Sequence, residues 1–237
     1  MRPMELTPRL RSVAELVPQG AKFADIGTDH AYLPVWLLQR GIITKALACD
    51  LRQGPLDRAR ATAERYGLTE EMDFRLCDGL AGVNPGEADT IAIAGMGGET
   101  IAALLSAAPW TWREDCLLLL QPMSAQPQLR RWLQDHGYTI AREILTREGD
   151  TIYTTFRVTA GPMAELTAGE LWAGRQSRGE DDPLRETYLN RLIDQTARAV
   201  EGLRRSTRSA DAGRLEELEQ VHADLQRMRE EWLSWQR

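Results

Sequence analysis

Two carboxylates flank a glycine near the start of the chain, and this arrangement favours a positively charged ligand. Residues 23–33 are typical of a buried strand that runs into a tight turn at Gly27 and then opens a helix. Glycine allows the backbone to pass close to a ligand there, because no side chain occupies the space. Asp25 and Asp29 would complement the sulfonium and ammonium groups of a molecule such as S-adenosylmethionine (SAM). The alternative is that both aspartates only cap backbone amides.

The same turn departs from the fingerprint of dinucleotide-binding proteins. That fingerprint requires glycine at positions 27, 29 and 32, whereas this chain has Asp29 and Tyr32 at the last two. A pyrophosphate ligand is therefore disfavoured, and with it a nicotinamide-dependent dehydrogenase.

Further polar or glycine-rich turns follow the next three predicted strands. The second strand ends at Asp50, roughly 20 positions after the glycine turn, where nucleotide-binding α/β folds place a carboxylate that accepts ribose hydroxyls. A helix N-cap is the alternative role for this residue. The third strand leads to Asp78, which is suited to accept a hydrogen bond from an adenine amino group. Gly95-Met96-Gly97-Gly98 follows the fourth strand and predicts a close approach of backbone to a flat ligand.

The elements that position these residues alternate between strand and helix. A lead-in helix over 5–17 carries Arg9 and Arg11, which we expect to point toward solvent or a polyanion. Alternating units closed by an antiparallel hairpin predict a doubly wound, Rossmann-like α/β sheet with an antiparallel edge hairpin. After the first strand, the predicted strands are 44–49, 72–76, 90–94, 116–120, 138–145 and 152–158, and the predicted helices are 32–39, 55–66, 99–105 and 127–137.

The last third of the chain has helical periodicity only. Residues 159–162 are the expected linker, which divides the chain into domains 1–160 and 161–237. Two apolar stripes separated by the polar segment 206–213 predict an antiparallel helical hairpin or coiled coil, with Trp232 and Trp235 in its seam. An intermolecular coiled coil would show similar stripes, so the oligomeric state stays open.

Composition limits the function classes. The chain has a net charge of −6, but many arginines fall in its first 75 residues, so a local basic face is compatible with nucleic-acid binding. Neither a signal peptide nor a membrane span is predicted, and we expect a soluble cytoplasmic protein. The 3 cysteines and 3 histidines lack the spacing of a disulfide framework or a metal site, and the cysteines are expected to be core thiols.

Taken together, these motifs resemble those of one enzyme family. The run from Asp25 to Pro34, with Asp50, Asp78-Gly79-Leu80 and 94–98, is similar to the bacterial tRNA (adenine-N1)-methyltransferases that modify adenine 22 of tRNA. The likeness covers residues 5–158 in order, and the helical tail resembles the family's C-terminal coiled-coil domain.

The resemblance implies a class I methyltransferase that uses SAM and acts on tRNA. No obligate protein partner is evident from the sequence. Arginines near the amino terminus become candidate tRNA phosphate contacts: Arg9, Arg11, Arg52 and Arg58. The residues that it places around the cofactor are Asp25, Gly27 and His30 in the first loop, Asp50 at the ribose with Leu51 after it, Asp78 and Gly79 at the adenine, and Gly95, Met96 and Gly97 at the methyl-transfer pocket.

One departure from other nucleic-acid methyltransferases bears on the chemistry. Methyltransferases that act on exocyclic amines have an Asp/Asn-Pro-Pro-aromatic motif after the fourth strand. This chain has Gly95-Met96-Gly97-Gly98 at that place instead. Ring nitrogen N1 of adenine has an in-plane lone pair and needs orientation more than deprotonation. Methylation leaves the base cationic, so we predict that Asp29 stabilises that charge or accepts a proton from the 6-amino group. Contact with the cofactor's ammonium, or a helix cap, is the alternative role for Asp29.

Two rival functions remain at this stage. One is a SAM-dependent methyltransferase for another RNA base, a protein or a small molecule, which mapping of the methylated atom would reveal. The other is a non-catalytic scaffold that keeps the cofactor fold and binds partners through its tail, and failure to bind SAM would favour it.

Overall fold

A seven-stranded sheet forms the centre of the first of two units in the computed structural model, which describes residues 3–205 and 211–236. The sheet order is β3-β2-β1-β4-β5-β7-β6, with β1 to β5 parallel and β7 antiparallel to both of its neighbours. The doubly wound sheet with an antiparallel edge hairpin is therefore confirmed. The strands are β1 (Phe23–Ile26), β2 (Ala46–Asp50), β3 (Met72–Leu76), β4 (Thr90–Gly97), β5 (Leu117–Ser124), β6 (Tyr138–Glu148) and β7 (Thr151–Ala160).

Strand β1 lies where the order of strands reverses. Phe23 pairs with Ala46 of β2 on one side and with Thr90 of β4 on the other. All of β1 is buried, and its side chains alternate between two apolar clusters, with Phe23 in one and Ile26 in the other. Helices cover both faces of such a strand, so only its ends are free for a ligand.

The helices of this unit begin and end at residues with clear backbone preferences. The Thr7 hydroxyl caps α1 by accepting a hydrogen bond from the Leu10 amide, and proline follows at the first helical position. Helix α3 ends at Gly67, which has φ of +68°. Helix α2 has the bounds that the sequence predicts. The helices are α1 (Pro8–Ala14), α2 (Tyr32–Gln39), α3 (Gln53–Tyr66), α4 (Gly98–Ser106) and α5 (Gln126–Asp135), with a 3₁₀ turn at Pro109–Thr111.

Two side-chain contacts hold α1 against the edge hairpin. The hydroxyl groups of Ser12 and Thr155 are 2.7 Å apart and both residues are buried. The Arg9 backbone amide donates to Glu148 Oε2 at 3.1 Å. The lead-in helix is thus fixed at a defined place next to the sheet.

Strand β4 extends further than the sequence predicts. The predicted strand over 90–94 ends before the glycines, whereas β4 continues to Gly97 with register shifts on either side of Met96. Gly95 has φ of +83°, a conformation that glycine adopts without penalty, so the strand continues through an irregular segment. Strand β5 likewise runs to Ser124, beyond the predicted limit at 120.

The second compact unit, Ala164–Arg237, is helical. It contains α6 (Ala168–Ala173), α7 (Arg185–Arg204) and α8 (Asp211–Trp235). Thr196 Oγ1 lies 2.8 Å from His222 Nδ1, and Arg204 pairs with Glu219, so α7 and α8 run antiparallel as predicted. Trp232 is buried in this pair, and residues 206–210 of the predicted connecting segment lie outside the described residues.

Helix α6 is an element that the sequence analysis missed. The Thr167 hydroxyl accepts from the Glu170 amide while the Glu170 carboxylate accepts from the Thr167 amide, which forms a capping box. The Thr-x-x-Glu pattern could have indicated it. None of the helices in the described ranges has the length and apolarity needed to cross a membrane.

Candidate active site

A cavity of about 680 Å³ opens at the carboxyl ends of β1 to β4. It lies beside the point at which the strand order reverses, where open α/β sheets bind their ligands. All predicted cofactor residues except Gly97 line this cavity, and so do Asp29 and Arg9. A Cβ on residue 97 would instead lie 3.2 Å from Ser124 Oγ, so Gly97 packs against β5.

The glycine turn after β1 has the conformation that its sequence predicts. Gly27 has φ of +75°, and its amide donates to the Cys49 carbonyl at 2.9 Å. A Cβ at this position would overlap the terminal methyl group of Met96. The backbone conformation therefore favours glycine here, and a Cβ would in addition displace the flexible end of the Met96 side chain.

Asp25 is buried beneath the turn. Thr28 Oγ1 donates to Asp25 Oδ2 at 2.7 Å. Burial raises the pKa of Asp25 to about 6; the Thr28 hydrogen bond opposes the rise, and the nearby charge of Asp50 adds to it. Thr28 has no role in the sequence analysis, and its spacing three residues after Asp25 was the available signal.

Asp50 joins the end of β2 to the glycine turn. Its Oδ1 accepts from the Arg52 amide at 3.0 Å, and its Oδ2 accepts from the Asp29 amide at 3.4 Å. The carboxylate therefore binds two backbone amides, but Asp50 is not the N-cap of α3, which is Arg52. A carboxylate has about four acceptor positions, so capacity remains for the two ribose hydroxyls.

Asp29 lies at the mouth of the cavity in a left-handed conformation, with φ of +47° and a side chain that is 57% exposed. Its Oδ1 accepts from Arg58 Nη2 at 2.5 Å, and its Oδ2 lies 3.7 Å from His30 Nε2. The His30 ring stacks on Tyr32 with 5.0 Å between centroids. Arg58, predicted as a phosphate contact, is thus engaged by Asp29.

The ends of β2 and β3 provide an apolar surface with a carboxylate beside it. Leu51 is 63% exposed, and Leu104 approaches Gly79 so closely that a Cβ there would overlap its side chain. Asp78 is exposed next to Gly79. An apolar slot, an adjacent carboxylate and the Asp50 carboxylate match the adenine and ribose of an adenosine cofactor, so the residues present fit SAM.

Two of the predicted core thiols are buried, and the third is half-buried and packs against the core. Cys49 and Cys116 are buried, and burial raises the pKa of both thiols. Cys77 is half-buried and lines the cavity.

Arg9 was predicted to point toward solvent or a polyanion, and the first of these is not observed. Arg9 is half-buried, and its Nη1 donates to Gln121 Oε1 at 2.7 Å. Arg11, two residues further on, is exposed as expected, and so is Arg52. Gln121 was missed as a site residue, although a polar side chain that ends the apolar run 116–120 was a visible signal.

Comparisons with known proteins agree with this arrangement. Residues 6–156 match the family described as methyltransferase domain. The tRNA (adenine(22)-N(1))-methyltransferase of Bacillus subtilis (strain 168) is 37% identical over 161 residues, which are 68% of each protein.

Solved structures extend the likeness to more than nine-tenths of the chain. The crystal structure of the B. subtilis M1A22 tRNA methyltransferase has a TM-score of 0.84 and 30% identity, and the match covers 95% of this chain and 99% of that one. Streptococcus pneumoniae Sp1610, solved in complex with S-adenosyl-L-methionine, has a TM-score of 0.77 and 33% identity over 92% of this chain and 100% of that one. The chain is therefore a SAM-dependent methyltransferase that belongs to the tRNA (adenine(22)-N(1))-methyltransferase family.

Proposed function

We propose that this protein transfers a methyl group from SAM to ring nitrogen N1 of adenine 22 in tRNA, in the cytoplasm. The observation that carries the proposal is the match to the B. subtilis M1A22 tRNA methyltransferase across 95% of the chain. The cavity at the switch point supports it, because glycines and carboxylates from four strand ends converge there.

We assign the cofactor contacts from the positions of the cavity residues. Asp50 accepts the ribose hydroxyls, Asp78 accepts the adenine amino group, and Leu51 provides an apolar face for the adenine ring. Asp25 provides negative charge beneath the turn, and Gly27 leaves room for the backbone to approach. When bound, SAM supplies an electrophilic methyl group on a sulfonium sulfur.

The residues of β4 define where the acceptor base sits. Gly95 and Met96 line the cavity beside Gly27, and Gly97 continues the strand behind them. Because the N1 lone pair of adenine lies in the ring plane, these residues have to orient the base rather than deprotonate it.

Asp29 is our candidate for stabilising the methylated, cationic base. Its exposed carboxylate is at the mouth of the cavity, within reach of a base that enters from solvent. Arg58 orients this carboxylate through the 2.5 Å contact, and the same contact partly neutralises it. A tRNA phosphate that bound Arg58 would compete for this pair and leave Asp29 free to act on the base.

tRNA recognition depends on backbone contacts in this proposal. Adenine 22 has to leave the tRNA core to reach the cavity, which favours recognition of tRNA shape and phosphates over base edges. Arg11 and Arg52 are exposed and suited to such contacts, whereas the net charge of −6 restricts them to a local face.

The deciding experiment maps methyl groups at nucleotide resolution after incubating the purified protein with SAM and an unmodified tRNA that has adenine 22. We expect a single methyl group on N1 of that base. A tRNA with guanine at position 22 is the matched control and should stay unmethylated. SAM binding without transfer to any site in the tRNA would refute the substrate assignment and leave the cofactor assignment intact.

A further inference from the structure

Arg9 reaches the active-site cavity from outside the strand-helix repeats. It belongs to α1, and its guanidinium lies over the Tyr153 ring of β7, 5.8 Å from the ring centroid. Its Nη1 lies 3.5 Å from the position that a Cβ on Gly95 would occupy. The guanidinium therefore lies next to the irregular segment of β4, where Gly95 and Met96 form part of the proposed methyl-transfer pocket.

Gln121 fixes the guanidinium at this place. Gln121 is fully buried, and its Oε1 accepts both from Arg9 Nη1 at 2.7 Å and from the Gly95 amide at 3.1 Å. Its Nε2 donates to the Pro122 carbonyl at 3.2 Å, which sets the orientation of the amide. One buried side chain thus joins α1 to the irregular part of β4.

The helix that carries Arg9 is itself held. The Ser12–Thr155 contact and the Arg9 amide hydrogen bond to Glu148 attach α1 to the edge hairpin on the side next to Tyr153. Arg9 is therefore preorganised, and a ligand does not have to order its side chain.

The charge of Arg9 lacks a counter-ion within the described residues. Arg58 pairs with Asp29, Arg75 with Glu87 and Arg130 with Glu143. The Arg9 guanidinium, within residues 3–205 and 211–236, instead donates to the neutral amide of Gln121. A half-buried guanidinium with free donors in a cavity is suited to an oxyanion, whose two oxygens match the fork of N–H groups.

We propose that Arg9, held by Gln121, is the binding residue for an oxyanion of a ligand in the active-site cavity. Two ligands of the reaction carry such a group: the methionine carboxylate of SAM and the phosphate of the nucleotide that presents its base. The nucleotide source rests on the proposed function, whereas the carboxylate source requires only that SAM binds.

Calorimetric binding to the full-length protein distinguishes the two sources. The titrants are SAM and 5′-methylthioadenosine, which lacks the carboxylate, and the proteins are wild type, Arg9→Gln and Arg142→Gln. Arg142 is exposed on β6 and does not line the cavity, so its variant controls for the change in charge. If Arg9 binds the carboxylate, Arg9→Gln lowers SAM affinity by about ten- to a hundredfold and leaves 5′-methylthioadenosine binding unchanged.

The nucleotide source gives a different result. In that case Arg9→Gln leaves the affinity for both small molecules unchanged, weakens tRNA binding at saturating SAM, and lowers the slope of log K against log salt by about one. Arg9→Gln would overturn the proposal if it matched Arg142→Gln in all three assays, or if it weakened SAM and 5′-methylthioadenosine equally.

Gln121 is a positioning residue, and Gln121→Glu tests it. The glutamate keeps an acceptor for Arg9 and for the Gly95 amide but neutralises the guanidinium, so it should reduce the affinity of the same ligand as Arg9→Gln does. Undiminished affinity in a folded Gln121→Glu variant would refute the role of Gln121.

Failure of this inference can be distinguished from failure of the proposed function. Loss of SAM affinity is measured without any methyl transfer, so it stands even if adenine 22 is not the acceptor. If the protein methylates adenine 22 but Arg9→Gln changes the affinity for none of the ligands, the proposed function is correct and the inference about Arg9 is wrong.

Discussion

The terminal methyl group of Met96 occupies the space that a Cβ atom on residue 27 would need. Gly27 also has φ of +75°, which L side chains adopt only at a cost. The glycine turn after β1 and the irregular segment of β4 are thus in direct contact through Gly27 and Met96. A change at either residue should therefore affect the cavity as well as the stability of the fold.

Gly27→Ala should lower the free energy of unfolding by about 1–2 kcal/mol through its backbone conformation and also weaken SAM binding, because Met96 has to move. Gly67→Ala is the matched control: it has φ of +68° and open space around its Cβ position, outside the cavity. Urea unfolding and SAM calorimetry should show similar destabilisation for both variants and a loss of affinity for Gly27→Ala alone. Equal SAM affinities would contradict the role given to the Gly27–Met96 contact.

Asp25 should make stability depend on pH in the acid range. Burial raises its folded pKa from 3.8 to about 6, so between these values the folded state holds a proton that the unfolded state has lost. The free energy of unfolding should therefore fall as pH rises through this window, by roughly 3 kcal/mol for a pKa difference of about two, and not change further above it.

Asp25→Asn removes the titrating carboxyl group, so the wild-type pH profile can be compared with that of a variant that does not titrate at this position. The stability of the variant relative to wild type should rise between pH 4 and pH 7 in urea unfolding. Parallel pH profiles for the two proteins would show that the Asp25 carboxyl is not perturbed by its burial.

Asp29→Asn tests the role of the carboxylate at the mouth of the cavity. The amide keeps the shape but carries no negative charge, so kcat should fall by about a hundredfold or more if the carboxylate acts on the base. SAM affinity should change little. Normal kcat with reduced SAM affinity would instead assign Asp29 to the cofactor.

Arg58→Gln is the companion variant, because it removes the ion pair and leaves the Asp29 carboxylate in place. It should weaken tRNA binding while kcat at saturating tRNA stays close to the wild-type value. A loss of kcat equal to that of Asp29→Asn would mean that the ion pair, rather than the carboxylate, is the functional unit.

Charge reversal at Arg11 and Arg52 tests the tRNA-binding face. Each reversal should weaken tRNA binding and lower the salt slope by about one for each phosphate that the protein no longer neutralises. Arg11 is exposed and does not line the cavity, so its reversal should leave SAM affinity and stability unchanged. Arg52 is exposed but lines the cavity next to Asp50, so SAM affinity has to be measured for its variant before a loss of tRNA binding is assigned to a phosphate contact. Arg142→Glu on β6 carries the same charge change, and an equal effect from it would remove Arg11 and Arg52 from the binding face.

Much of the first unit follows from local sequence patterns. Helix α2 has the predicted bounds because its first turn contains Pro34 and Gly41 follows its end. The acidic strand ends meet because parallel strands place their carboxyl ends at one edge of a sheet, so Asp25, Asp50 and Asp78 line one cavity. These features depend on backbone preference and on the period of burial, which neighbouring residues encode.

The tertiary structure decided which distant side chains meet. Arg9 and Gln121 are 112 positions apart, and the helical period of α1 gave no sign that Arg9 would turn toward β5. Arg58 and Asp29 likewise pair across the site, although the sequence suggested a phosphate for one and a base for the other. Such pairs depend on how α1 packs against the edge hairpin and α3 against the sheet, and packing between remote segments leaves no local pattern in the chain.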